Sequence, residues 1–268
     1  LLLYILVKGL PHVSWSFLTG RSSSYEAGGG IGIQLYNSLF LLVITLIISI
    51  PLSLGAGIYL SEYARKGRLT NFIRTCIEIL SSLPSVVVGL FGYLIFVVQF
   101  QYGFSIISGA LALTVFNLPQ MTRNVEDGLR NVHHTQREAG LALGLSRWET
   151  VIHVVVPEAL PSIVTGIVLA SGRIFGEAAA LIYTAGQSAP ALDWSNWNPL
   201  SVTSPISIFR QAETLAVHIW KVNSEGTIPD ATQVSQGSAA VLLIFILIFN
   251  LSARYIGRRL HAKLTSAN

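Results

Sequence analysis

The sequence predicts an all-α integral membrane protein with six spanning helices, and three observations carry that reading. Only 11% of its 268 residues are charged while 51% are hydrophobic, whereas a soluble domain carries roughly 25% charge. So little charge cannot cover a water-soluble surface. The apolar residues fall in long blocks with the charges gathered between them, as a lipid-facing bundle requires. The basic residues alternate from one side of these blocks to the other with a consistent bias.

Clear spans fall at about 33–60, 76–99, 104–121, 161–185 and 236–256. They are preceded by the apolar run 1–10, too short to cross alone because a helix needs about 20 residues. It lacks a basic n-region and so makes a poor signal peptide. It is expected to be the end of a first, truncated helix. Residues 1–268 then form one transmembrane domain.

Arg65, Lys66, Arg68, Arg74, Arg123, Arg130, Arg137, Arg147, Arg254, Arg258, Arg259 and Lys263 fall on one side. Lys8, Arg21, Arg210 and Lys221 fall on the other. The positive-inside rule puts the richer side, and the C-terminus, in the cytoplasm. Two connections are longer than turns and therefore candidates for function. The inner one covers 122–160; the outer one covers 186–235 and carries Trp194, Trp197 and Trp220. Within it, 205–220 reads as an amphipathic helix.

Composition also excludes several chemistries. A single cysteine, Cys76, allows no internal disulfide or thiolate cluster. The net charge of +4 sits at membrane edges, so nucleic acid is not expected as a partner. His133 and His134 are adjacent with no third ligand near, and no metal site is expected. Nothing suggests covalent catalysis. A P-loop ends in Gly-Lys-Ser/Thr, but Lys8, Lys66, Lys221 and Lys263 are followed by Gly, Gly, Val and Leu. Any ATP and Mg would be bound by another polypeptide.

The inner connection contains Glu138-Ala139-Gly140-Leu141-Ala142-Leu143-Gly144-Leu145-Ser146-Arg147-Trp148 and runs on to Pro157. A short helix ending at Gly144 is expected, since glycine adopts the left-handed C-terminal conformation cheaply. Leu141, Leu145 and Trp148, at i, i+4 and i+7, would give it one apolar face. From periodicity alone that face serves a partner or the membrane surface equally well.

The wording of the segment resembles the EAA motif of ABC-importer permeases, Glu-Ala-Ala-x3-Gly-x9-Ile-x-Leu-Pro. Glu138, Ala139, Gly144 and Pro157 match in register, while Gly140, Val154 and Val156 are conservative departures. The resemblance implies a type I ABC permease bundle with a cytoplasmic coupling helix. Glu138, Ala139, Gly140 and Gly144 would then contact the ATPase subunit.

Inside the span 161–185, Arg173 and Glu177 stand one helical turn apart. Charges at a helix centre cost roughly 2.5–3.5 kcal/mol each on insertion scales, so both should face the bundle interior or water. Gly172, Gly176 and Ala180 form one small-residue line for close helix packing, and Ser162, Gly166 and Ala170 form another. One reading is a salt bridge that locks two helices. The other is an oxyanion site, with Arg173 holding the anion through paired donors and Glu177 accepting a proton that phosphate keeps and sulfate lacks.

Arg173-x2-Gly-Glu177 after such a loop looks like the PstA and PstC permeases of bacterial phosphate importers. Glu62-Tyr63 and the stretch Leu80-Ser-Ser-Leu-Pro-Ser85 also look like that family, with PstA favoured. The resemblance covers about 30–265. It implies a phosphate permease of the bacterial inner membrane working with a PstC-like permease, a PstB-like ATPase dimer and a PstS-like binding protein. From the residues alone, a permease for sulfate or molybdate and a gradient-driven transporter without an ATPase stay open. So does a membrane subunit whose partner lines most of the pore.

Overall fold

A computed structural model of the chain describes residues 1–23, 26–65, 67–226 and 228–265. Among these residues all regular structure is helical. In order, the helices are α1 (Leu2–Gly9), α2 (Trp15–Thr19), α3 (Gly32–Ile58), α4 (Arg68–Ser81), α5 (Ser85–Gly92) and α6 (Ile106–Arg130). They continue with α7 (His134–Ala142), α8 (Arg147–Thr150), α9 (Val156–Gly176), α10 (Ala179–Thr184), α11 (Leu215–Glu225) and α12 (Ala231–Thr265). π-helical stretches extend α3 (Tyr59–Tyr63) and α5 (Tyr93–Gln99), and a third, Val151–Val155, joins α8 to α9.

Among the described residues three continuous helical stretches are long and apolar enough to cross a membrane: Gly32–Tyr63, Arg147–Gly176 and Ala231–Lys263. The bent pair Arg68–Ser81 and Ser85–Gln99 makes up to four. At 1.5 Å per residue, 30 residues reach about 45 Å, more than the roughly 30 Å of hydrocarbon.

Three spans depart from the sequence expectation. The expected crossing 76–99 is broken, and its two helices meet at 100°. Pro84 lacks an N–H, and the Ser81 and Ser82 hydroxyls bond back to the carbonyls of Glu78 and Ile79. α4 before the break carries Arg68, Arg74 and Glu78, so the apolar part begins at Ser85. The expected span 161–185 also breaks, with α9 ending at Gly176 and α10 starting at Ala179. The helix over the expected span 104–121 runs on to Arg130. It falls outside the helices apolar enough to cross, because it carries Asn117, Gln120, Thr122, Arg123 and Glu126. Ala110, Ala112, Leu113 and Leu129 are nevertheless fully buried: protein, not lipid, covers much of it.

The chain divides into two compact units. The first comprises Leu1–Leu46, Pro84–Val115 and Arg173–Leu247. Its apolar core joins Phe17, Ile31, Leu215, Val222, Ile228, Val234 and Val241. Close approach is set by small residues: a Cβ on Gly89 would lie 2.7 Å from Ala180 Cα, and one on Gly109 would lie 2.9 Å from Ala185 Cβ. The second comprises Ile47–Leu83, Phe116–Gly172 and Ile248–Asn268. Its core joins Val125, Leu129, Val132, Val155, Ala159 and Ile163. There α6 and α9 meet where Gly128 faces Ser162 and Gly166 faces Asn124, both at under 3 Å for an added Cβ.

The outer connection is mostly irregular from 186 to 214. The amphipathic helix expected at 205–220 is shifted to α11, where Thr214 caps the N-terminus by accepting from the Val217 N–H. It is not a surface helix: Leu215, Ala216, Val217, His218 and Val222 are buried.

Replacing Gly89 by Leu is expected to lower stability by about 1–3 kcal/mol, because the obstacle is the Ala180 backbone and cannot swing aside. Gly55 has open space around its Cβ position, so Gly55→Ala should be neutral or slightly stabilising. Denaturant unfolding of the detergent-solubilised chain compares the two.

Candidate functional site

The segment expected to couple to an ATPase is built by two local signals. α7 ends in a Schellman motif: the Leu145 N–H donates to the Gly140 carbonyl (3.2 Å) and the Gly144 N–H to that of Leu141 (3.0 Å). Gly144 takes φ +83°, a left-handed conformation that glycine adopts without strain. α8 then starts with a complete capping box, Ser146 with Glu149. The continuous apolar face expected from Leu141, Leu145 and Trp148 is therefore not formed, because the turn at Gly144 separates them. Instead Leu141, Leu143 and Trp148 stand exposed while Leu145 is half-buried.

Gly140 is buried, and a Cβ there would lie 2.8 Å from Thr150 Cγ2. The departure from alanine at this motif position thus matches a close approach to the residue that ends α8. Glu138 and Ala139 lie on α7, and Glu138 Oε1 is 3.2 Å from His134 Nδ1, both side chains exposed.

The segment is tied down by Glu62, at the end of the π-helical stretch Tyr59–Tyr63. Arg137 donates from Nη2 to Glu62 Oε1 (2.9 Å) and from Nε to Oε2 (3.3 Å), a bidentate pair. The same guanidinium donates to the carbonyls of Leu129 and Val132, each at 2.6 Å. Arg147 donates to the Glu62 carbonyl and lies over the Tyr63 ring, 5.0 Å from its centroid. Glu62 thus joins the end of α3 to both short helices, through its carboxylate to Arg137 and through its backbone carbonyl to Arg147, while Arg137 also reaches the C-terminus of α6. These groups bound a cleft of about 340 Å³ with Leu141 and Val151 on its wall. Beside it, buried Glu126 accepts from Arg74 (2.9 Å) and Arg130 (2.8 Å), and Glu78 pairs with Arg123 (3.1 Å).

Arg173 and Glu177 are not one turn apart on a continuous helix. Arg173 sits in the last turn of α9 and is exposed; Glu177 follows the helix end and is half-buried. Glu177 Oε1 accepts from the Ala180 N–H at 3.1 Å, so the carboxylate caps the start of α10. The line Gly172, Gly176 and Ala180 straddles this break. Ala180 is fully buried against Gly89, whereas Gly176 has nothing within 4 Å of a Cβ position. The other small-residue line carries the α6–α9 contact of the second unit, through Ser162 and Gly166.

A second polar cluster escaped the sequence reading. Arg210 is 1% exposed; it donates to Asn37 Oδ1 (2.8 Å) and the Pro205 carbonyl (3.3 Å). Its burial lowers its pKa to about 10, while the nearby Tyr36 hydroxyl acts in the opposite sense. Buried Glu213 accepts from Gln34 Nε2 (2.9 Å), lies 3.2 Å from His218 Nδ1 and has Lys221 Nζ at 4.0 Å. These side chains staple the outer segment to α3 within the first unit. The only local hint was that Arg210 and Glu213 are charges beside an otherwise apolar stretch. Among the described residues no three His, Cys, Asp or Glu side chains are placed to hold a metal ion.

Comparison with known proteins places this geometry. Residues 49–266 match the family described as the binding-protein-dependent transport system inner membrane component. A Bacillus subtilis protein described as "Probable ABC transporter permease protein YqgI" is 56% identical over 98% of this chain and 90% of its own length. The phosphate transport system permease protein PstA 2 of Mycobacterium bovis is 33% identical over 96% of this chain and 80% of its own. Among solved structures, a bacterial alginate ABC transporter aligns with a TM-score of 0.67 at 12% identity, covering 97% of this chain and 88% of the other. The MetNI methionine ABC transporter aligns with a TM-score of 0.61 at 17% identity, covering 86% and 94%. These two show the fold. The family sets aside a gradient-driven transporter and an enzyme alike. The chain belongs to the binding-protein-dependent transport system inner membrane components, as a multi-pass permease subunit of an ABC importer whose ATPase is a separate polypeptide.

Proposed function

We propose that this permease moves inorganic phosphate inward across the bacterial cytoplasmic membrane, with 138–148 taking up the motion of its ATPase. The phosphate assignment is carried by the PstA relatives, 29–35% identical over nearly the whole chain. Its partners would be a PstC-like second permease, a pair of PstB-like ATPases that bind ATP and Mg, and a PstS-like binding protein. The reading takes 1–268 as one domain of six crossings. The bent pair and the protein-enclosed α6 are two of them, and the C-terminus is cytoplasmic.

The coupling role is supported by exposed Leu141, Leu143 and Trp148 beside a backbone fixed by Gly144 and Ser146. An ATPase that touches this surface differently in its open and closed states shifts the permease between outward and inward forms. Because Glu62 holds Arg137 and Arg147 together, a push on the short helices is delivered to the end of α3. Exposed Arg173 supplies paired donors to an oxyanion. Glu177, held by the Ala180 N–H, can accept the proton that phosphate retains at neutral pH. Sulfate offers none. Arsenate is therefore expected to compete for uptake and sulfate is not.

Gly144→Leu forces a side chain into a left-handed conformation on the exposed surface. It should uncouple ATP hydrolysis from uptake while insertion is preserved, and wild-type uptake would refute the coupling role. Glu62→Gln removes the charge from a largely buried pair. It should cost about 1.5–3 kcal/mol, read as a lower midpoint in denaturant, and weaken ATPase stimulation by the loaded binding protein. Arg173→Gln should abolish phosphate uptake with normal membrane insertion, measured with labelled phosphate in cells. Persisting uptake would leave Arg173 a structural residue.

A further inference from the structure

We propose that a groove between α9 and α12 binds the headgroup of an anionic phospholipid. The groove encloses about 260 Å³ and is lined by Pro161, Val164, Thr165, Arg254, Gly257 and Arg258. Arg254 and Arg258 are four residues apart, so both guanidiniums rise on one face of α12. Both are exposed, and among the described residues neither is ion-paired with a carboxylate. Arg259 next to them is engaged elsewhere, lying over the Tyr255 ring at 4.7 Å.

The groove is framed by fixed contacts. A Cβ on Gly257 would lie 2.6 Å from Val164 Cγ1, so the two helices touch there. His261 Nδ1 is 3.2 Å from the Pro157 carbonyl, a second contact further along. Two guanidiniums held over such a groove match a phosphodiester through charge-assisted bonds. Basic grooves between spanning helices are suited to anionic headgroups.

A free phosphate ion would use only the arginines, but the surface next to them is apolar. Leu251 lies three residues before Arg254 and seven before Arg258, on the same helical face, and is 69% exposed. Ile248, a further turn back, is 55% exposed. An apolar strip running into a cationic groove has the shape of an amphiphile, with acyl chain and headgroup in register. This inference does not depend on the transported substrate.

The test titrates the purified full chain, in a neutral detergent, with dioctanoyl phosphatidylglycerol and reads thermal stability. Dioctanoyl phosphatidylcholine and inorganic phosphate serve as parallel arms. Phosphatidylglycerol is expected to raise the melting temperature and phosphatidylcholine is not, while any shift with inorganic phosphate, at the proposed Arg173 site, should be unchanged in Arg254→Gln/Arg258→Gln. The double variant Arg254→Gln/Arg258→Gln should weaken the apparent affinity about thirtyfold, at roughly five- to sixfold per arginine. Arg259→Gln should keep wild-type affinity, and both variants should melt like the wild type without lipid. An equal response to phosphatidylcholine would overturn the proposal in favour of apolar binding alone. A response to inorganic phosphate that the double variant loses would overturn the lipid reading and make the groove a simple anion site. Unchanged affinity in the double variant would remove the groove from the explanation.

Discussion

Hydrocarbon offers no water to a backbone N–H or carbonyl, so a chain that interrupts its helices inside a membrane must satisfy the freed groups from within. This protein interrupts them repeatedly, and its polar side chains sit where that requirement falls. Ser81 and Ser82 bond back to the last carbonyls before the 82–84 break. Glu177 takes an N–H at the start of α10. Ser105 and Ser108 both donate to the Gly103 carbonyl where α6 begins. At these three places a polar side chain takes up a backbone group that the interruption frees. The close contact of Gly89 with Ala180 follows, since it needs both broken helices to end where they do.

On the side rich in arginine the same logic works through charge. Glu126 is buried and pairs with Arg74 and Arg130, and Glu62, half-buried with a largely covered carboxylate, pairs with Arg137. Taking either acid out of water alone is costly, and removing one partner of a buried pair is more damaging than never having built it. Each acid therefore fixes the helices that supply its arginines. A joint of this kind moves as a unit, which suits a segment that has to pass a displacement to a long helix.

What could be read from the sequence was local. Gly144, Ser146 and Glu149 determine the two short helices through a C-terminal turn and a capping box, both spelled by neighbouring residues. The apolar blocks announced α3, α9 and α12 for the same reason. The uninterrupted face from Leu141 to Trp148 failed because a period of 3.6 was carried through a glycine that ends the helix. The unbroken helix expected through Arg173 and Glu177 failed likewise, since a carboxylate that can cap the following turn competes with helical continuation. Arg210 and Glu213 were illegible because their partners Asn37 and Gln34 lie more than 170 residues away. α6 was underestimated because a helix enclosed by protein has no need of apolar residues on every face.

The break after Gly176 also changes how the intramembrane charges should be understood. At the centre of an intact helix, Arg173 and Glu177 would each carry the full insertion cost, and their mutual attraction would be the natural remedy. At a helix end the account differs. Glu177 is stabilised by a backbone N–H and by the positive end of a short helix. Arg173 occupies the C-terminal turn of α9, where the helix dipole favours a cation. Each charge is thus supported by its own helix terminus. Charges placed at helix ends in this way avoid the centre of an intact apolar span, where the insertion cost is highest.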